Sequence, residues 1–116
     1  MSMDETPLSV IRRYYEAWSA SDAAAINALL SDRFVGHSGA FAFAREDLVE
    51  FRTALAERFN RLTLETREAI AQDDRVAAVW TTQADDVEWH GISLYRVVGG
   101  RIVELWDVRS AESPVS

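Results

Sequence analysis

The chain of 116 residues has no cysteine and no lysine, and only two histidines, two prolines and five glycines. Without cysteine there is no disulfide scaffold, no thiolate zinc site and no cysteine nucleophile. Without lysine there is no Schiff base, and all 12 basic residues are arginine. Two histidines with no set of further ligands at a fitting spacing argue against a protein-bound metal. Glycine and proline are too scarce for collagen-like or low-complexity segments. No stretch approaches the roughly 18 apolar residues of a membrane span. The first seven residues carry two acids and no apolar run, so no signal peptide is expected. Positive charge is short as well: 19 acids against 12 bases give a net charge of −7. Such a chain repels phosphate backbones. The expectation is a soluble cytoplasmic protein with neither nucleic acid nor membrane as partner. Its arginine-only, alanine-rich usage fits a high-GC bacterial genome.

What is present suffices for one core. Apolar residues make up 48% of the chain and charged residues 27%, the balance of a single globular domain. That domain is expected to span 1–116, with its core at about 7–109 and a loose tail after Ser110. Thr6-Pro7 reads as a helix cap and first helical position. Leu8, Val10, Ile11, Tyr14, Tyr15 and Trp18 then fall on one helical face. Ser21 or Asp22 caps a second, short helix through Leu30. Arg33 to His37 reads as a strand. A loop follows, Ser38 to Ala44, with room for a brief strand at Phe41 to Phe43. A third helix runs from Arg45 to about Asn60 with the stripe Leu48, Phe51, Leu55 and Phe59.

The second half changes character. Leu62–Ala71, Arg75–Gln83, Val87–Val98 and Arg101–Arg109 are rich in β-branched and aromatic residues. Asp73-Asp74, Ala84 to Asp86 and Gly99-Gly100 separate them by hairpin lengths. Helices segregated from an antiparallel meander define an α+β fold. On the last strand, Val103, Leu105 and Asp107 alternate with Ile102, Glu104, Trp106 and Val108. Both faces of the sheet are substantially apolar, so alternation alone leaves open which is concave. Helices cover one face. A homodimer through the other accounts for its apolar residues, against a monomer with a mildly apolar surface.

The order of elements resembles the NTF2-like superfamily, a cone-shaped roll of three helices on a curved, mainly antiparallel sheet. The segments VIRRYYEAWSASDAAAINALLSDRFVGHSG and GISLYRVVGGRIVELWDV closely resemble its SnoaL-like branch. That branch includes polyketide cyclases performing aldol closures; relatives include ketosteroid isomerase, limonene-epoxide hydrolase and dehydratases. The resemblance implies a pocket lined by the first helix, first strand, third helix and one sheet face. It turns Leu105, Asp107, Ser93, Tyr95, Trp80 and Thr82 inward, and His90, Ile92 and Trp106 outward.

Three residues then become candidates for chemistry. Asp107 lies mid-strand among apolar residues, where burial raises a carboxyl's pKa toward a general base's range; the resemblance gives it that role. Its alternative is a salt bridge to Arg96, Arg101 or Arg109. His37 ends the first strand, where the resemblance implies an acid/base group paired with Asp107 across the cone; its alternative is to cap the following loop. Tyr14 matches the helix-1 tyrosine that donates to an oxyanion in isomerase-like relatives; its alternative is a core aromatic. Trp18, Phe41, Phe51, Leu55, Trp80, Thr82, Trp89, Ser93, Tyr95 and Leu105 form the expected wall for a small, partly apolar ligand, or the aromatics simply fill the cone.

Three departures narrow the reading. Ser93 and His37 stand where the steroid isomerase has an acid donor and an Asp base. An arginine and second aspartate at positions matching the epoxide hydrolase are not evident. The hairpin at Ala84-Asp85-Asp86 is far shorter than in SnoaL-like proteins, implying a smaller or more open cavity. The function expected is cofactor-independent acid/base isomerisation, cyclisation or dehydration of a carbonyl compound; the alternative is a non-catalytic binding or dimerisation module.

Overall fold

Helix α1 occupies Pro7–Ser19 in the computed structural model, which describes residues 6–115. The Thr6 hydroxyl accepts from the Ser9 N–H at 3.2 Å, and Pro7 sits where a missing N–H costs nothing. Asp22 caps α2 (Ala23–Leu29) by accepting from the Ala25 N–H at 3.0 Å. Leu30, expected to end that helix, is extended and opens β1 (Leu30–Ser38). The brief strand β2 (Phe41–Ala44) leads into α3 (Arg45–Arg58). There the Asp47 carboxylate accepts from the Ala44 N–H at 2.9 Å, satisfying one donor that the helix itself cannot. Phe59 is extended, so α3 stops short of Asn60.

Four long strands follow: β3 (Leu62–Gln72), β4 (Arg75–Ala84), β5 (Val87–Val98) and β6 (Arg101–Arg109). Gly99 and Gly100 both take positive φ, as a tight hairpin between twisted strands demands. The sheet runs β2-β1-β6-β5-β4-β3 and is curved and open. All its pairings are antiparallel except β1 with β6, which is parallel. Beyond Ser110, where a loose tail was the expectation, Ser113–Pro114 forms β7 on the start of β5, and Glu112 accepts from Arg58 at 2.6 Å and 2.9 Å. This is the α+β cone, with three helices against the concave side. Among the described residues no helix is long and apolar enough to cross a membrane.

Alternation decides which side chains enter the core. Val76, Ala78, Trp80, Thr82 and Ala84 of β4 are buried, as are Trp89, Ser93, Tyr95 and Val97 of β5. Ile102 breaks the expected parity. A register irregularity opposite Arg96 and Val97 pairs Val97 with Ile102 and Arg96 with Glu104. The extra residue, Val103, turns Ile102 to the buried side with Leu105.

Two glycines are required by close approach. A Cβ on Gly36 would overlap the Phe43 ring. A Cβ on Gly91 would stand 2.5 Å from both Trp80 Cζ2 and the Val108 carbonyl oxygen. Trp80 and Gly91 are directly paired, so the glycine is what lets the indole lie across β5. Gly91→Ala is therefore expected to destabilise the fold by about 1–3 kcal/mol, the usual cost of overpacking. A lowered urea midpoint with unchanged slope would show it; an unchanged midpoint would contradict it.

Candidate active site

Between the helices and the concave face lies a cavity of about 360 Å³, within the usual range for small-ligand sites. Tyr14, Tyr15 and Trp18 of α1 form one wall, and Leu48, Phe51 and Leu55 of α3 another. Trp80 and Thr82 of β4, Trp89, Ser93 and Tyr95 of β5, and Leu105, Asp107 and Arg109 of β6 make the sheet side. Ser38, Phe43, Asp47 and Leu64 complete the lining.

Asp107 is a half-buried carboxylate on the cavity wall. Trp80 Nε1–H donates to Ser93 Oγ at 2.8 Å, and Ser93 Oγ–H donates to Asp107 Oδ1 at 3.4 Å. An indole can only donate, so it leaves the serine proton free to point at the carboxylate. Burial raises the Asp107 pKa above its ordinary value; the Arg109 charge and the Ser93 hydrogen bond pull it part of the way back. The expected alternative does not occur: no ion pair among the described residues includes Asp107. Arg96 instead reaches Asp74 and Glu104, each at 3.7 Å.

Three tyrosines crowd the floor. The Tyr15 and Tyr95 hydroxyls lie 2.8 Å apart, and Tyr14 packs edge-on against Tyr95 and Trp18. Burial drives all three phenols above their ordinary pKa, so each stays protonated and able to donate. Both readings of Tyr14 meet here: it is 2% exposed and also lines the cavity.

His37 requires a correction. In the parallel pairing of β1 with β6, Ser38 is in register with Asp107 and His37 with Trp106. Neighbours in register share a face, so Ser38 meets the cavity and the imidazole lies on the outer side. The His37 ring stacks on Trp106 at 5.3 Å and 15°, and Nε2 lies 3.0 Å from Glu104 Oε2. No acid/base pair with Asp107 forms, and the ring caps no loop. Phe41 is the second correction. It stands 78% exposed at the turn end of an edge strand, and Phe43, two residues on, takes the place on the wall.

Residues missed from the sequence include Ser38, Phe43, Asp47 and Arg109. An arginine and a second aspartate, Arg109 and Asp47, do line the cavity. Arg109 was legible: it follows Asp107 by two residues on an alternating strand. Asp47 is already engaged with the Ala44 N–H. Among the described residues, no three His, Cys, Asp or Glu side chains come together as metal ligands.

Asp107 binds its proton more tightly in the folded chain than in the unfolded one. Its contribution to stability is thus greatest below the ordinary carboxylate pKa and falls as pH rises through the raised one. Asp107→Asn removes that dependence. The variant is expected to be more stable than the wild type at neutral pH, the gap closing as the solution is acidified. Urea denaturation from about pH 4 to pH 8 checks this; a constant gap would contradict it.

The architecture is shared with solved structures. Wild-type IdmH, a proposed polyketide cyclase from Streptomyces antibioticus, superposes with a TM-score of 0.83 at 20% identity, over 90% of this chain and 92% of that one. AclR, a proposed hydroxylase from Streptomyces galilaeus, gives 0.81 at 27% identity over 94% and 81%. A proposed ketosteroid isomerase from Kribbella flavida gives 0.79 at 18% identity over 99% and 87%. No curated protein sequence matches significantly. Residues 11–105 match the model of the SnoaL-like domain, and with that span the chain belongs to the SnoaL-like family of the NTF2-like fold.

Proposed function

We propose that the protein is a cytoplasmic, cofactor-independent enzyme that moves a proton on a small, partly apolar carbonyl compound bound in the cone. One observation carries the reading: a carboxylate with a raised pKa on the wall of a mostly apolar cavity. Asp107 takes a proton from the carbon beside the carbonyl. The electron pair left behind moves onto the carbonyl oxygen, and the Tyr14 hydroxyl donates to that oxygen as charge develops. Return of the proton at another carbon isomerises the ligand. Attack of the enolate carbon on a second carbonyl closes a ring, and loss of a β-hydroxyl as water dehydrates it. Ser93 holds the base rather than the substrate. His37 has no part in these steps.

The test is exchange of solvent deuterium into the carbon acid of 2-tetralone, followed by NMR. The wild type is expected to accelerate exchange above buffer. Asp107→Asn is expected to lose on the order of 10²–10⁴-fold, the usual worth of a positioned general base, while keeping the fold. Equal rates for the two proteins would remove Asp107 as the base and favour a binding module without catalysis.

We also propose a homodimer through the outer sheet face. Val79, Ile92 and Val108 form a continuous cross-strand row there, with Ile92 60% and Val108 75% exposed. Apolar rows of this kind mark contact surfaces. Sedimentation equilibrium is expected to give twice the chain mass, and Ile92→Glu to give the monomer. A monomeric wild type would contradict the proposal.

A further inference from the structure

Among the described residues the cavity wall carries a single cation. Arg109 closes β6, is exposed to solvent, and still lines the cavity. Its guanidinium carbon lies 5.6 Å from the centre of the Trp89 ring and 5.7 Å from that of Phe51. Two aromatic faces, from β5 and α3, thus bracket it at the open end. In a chain with 19 acids to 12 arginines, arginines readily find carboxylates: Arg58 pairs with Glu112, and Arg96 with Asp74 and Glu104. Arg109 makes no ion pair and no side-chain hydrogen bond among the described residues. Its planar fork of donors is held by ring faces and left without an acceptor.

Asp107 and Arg109 are two residues apart on one face of one strand. That repeat sets their backbone positions about 7 Å apart along β6. The aromatic wall between the helices and β5 leaves room for a ring system spanning that distance. No ion pair among the described residues joins Arg109 to either acid on the wall: Asp47 accepts from the Ala44 N–H, and Asp107 accepts from the Ser93 hydroxyl.

We propose that the ligand is an aromatic or alicyclic carbonyl compound bearing a carboxylate, which Arg109 grips at the open end while the reacting C–H lies further in, at Asp107. The proposal rests on the reading of Asp107 as the base, and names the substrate class that reading leaves open. A carboxylate matches the guanidinium fork with two parallel hydrogen bonds. A phosphate, more strongly hydrated, is poorly suited to so apolar a wall.

Calorimetric titration of the full chain with 2-naphthylacetate and its neutral isostere 2-naphthylacetamide tests this. The carboxylate is expected to bind the wild type about tenfold or more tighter than the amide, as a charge-assisted pair provides. Arg109→Gln is expected to abolish the difference while leaving amide affinity within about twofold, and Arg109→Lys to restore part of it. Circular dichroism confirms the fold of each variant. Equal affinities in the wild type, or a preference that survives Arg109→Gln, would overturn the proposal and leave the proton-transfer reading standing. Asp107→Asn is expected to keep the preference, so a failed exchange assay with an intact preference strikes the base alone. Binding of neither probe overturns the proposed ligand class and weakens the cavity as a site for any such compound.

Discussion

The indole of Trp80 lies across Gly91, and the geometry around Asp107 depends on that contact. Only a residue without a side chain lets a tryptophan from β4 reach over β5 to Ser93. The indole N–H then occupies the serine oxygen and directs the serine proton to the carboxylate. A buried acid in an apolar wall is costly unless something holds its charge. Here the compensation is partial: one hydroxyl and one arginine at the open end leave the carboxyl readier to take a proton than an ordinary aspartate. A full salt bridge would hold the carboxylate ionised and blunt it as a base.

The same sheet carries a second polar cluster on its convex side. His37 rests on Trp106 and touches Glu104, which also meets Arg96, and Arg96 reaches Asp74. Cavity and cluster are separated by one strand thickness. Along a regular stretch of strand, parity decides which of them a residue joins. A single step along β1 exchanges Ser38, beside Asp107, for His37, beside Trp106.

The long elements were legible because their patterns extend over many residues. Strands of nine to twelve residues in β4, β5 and β6 carry enough alternation to identify them. They also placed Trp80, Thr82, Ser93, Tyr95, Leu105 and Asp107 on one face once the family resemblance chose which face was concave. The failures lie where the pattern is short or broken. β1 carries a register irregularity between Leu30 and Val35, and His37 was placed inward by the resemblance rather than by alternation. Val103 shifts Ile102 by one, and nothing in a run of R-I-V-E announces it. Arg109 went unnoticed for another reason: a charged residue at a strand end is usually solvated, and only its position two beyond Asp107 set it apart. Phe41 and Phe43 share a face of β2, yet only Phe43 reaches the cavity wall, a difference that no local pattern marks.

The distribution of tryptophan has a spectroscopic consequence. Trp18, Trp80 and Trp89 line the hollow, whereas Trp106 lies outside it beneath an imidazole. Emission from the first three responds to whatever enters the cone, and emission from the fourth to whatever reaches the convex face. The native chain thus carries separate optical reporters for its two sides, and single Trp→Phe replacements assign the signal without an attached dye.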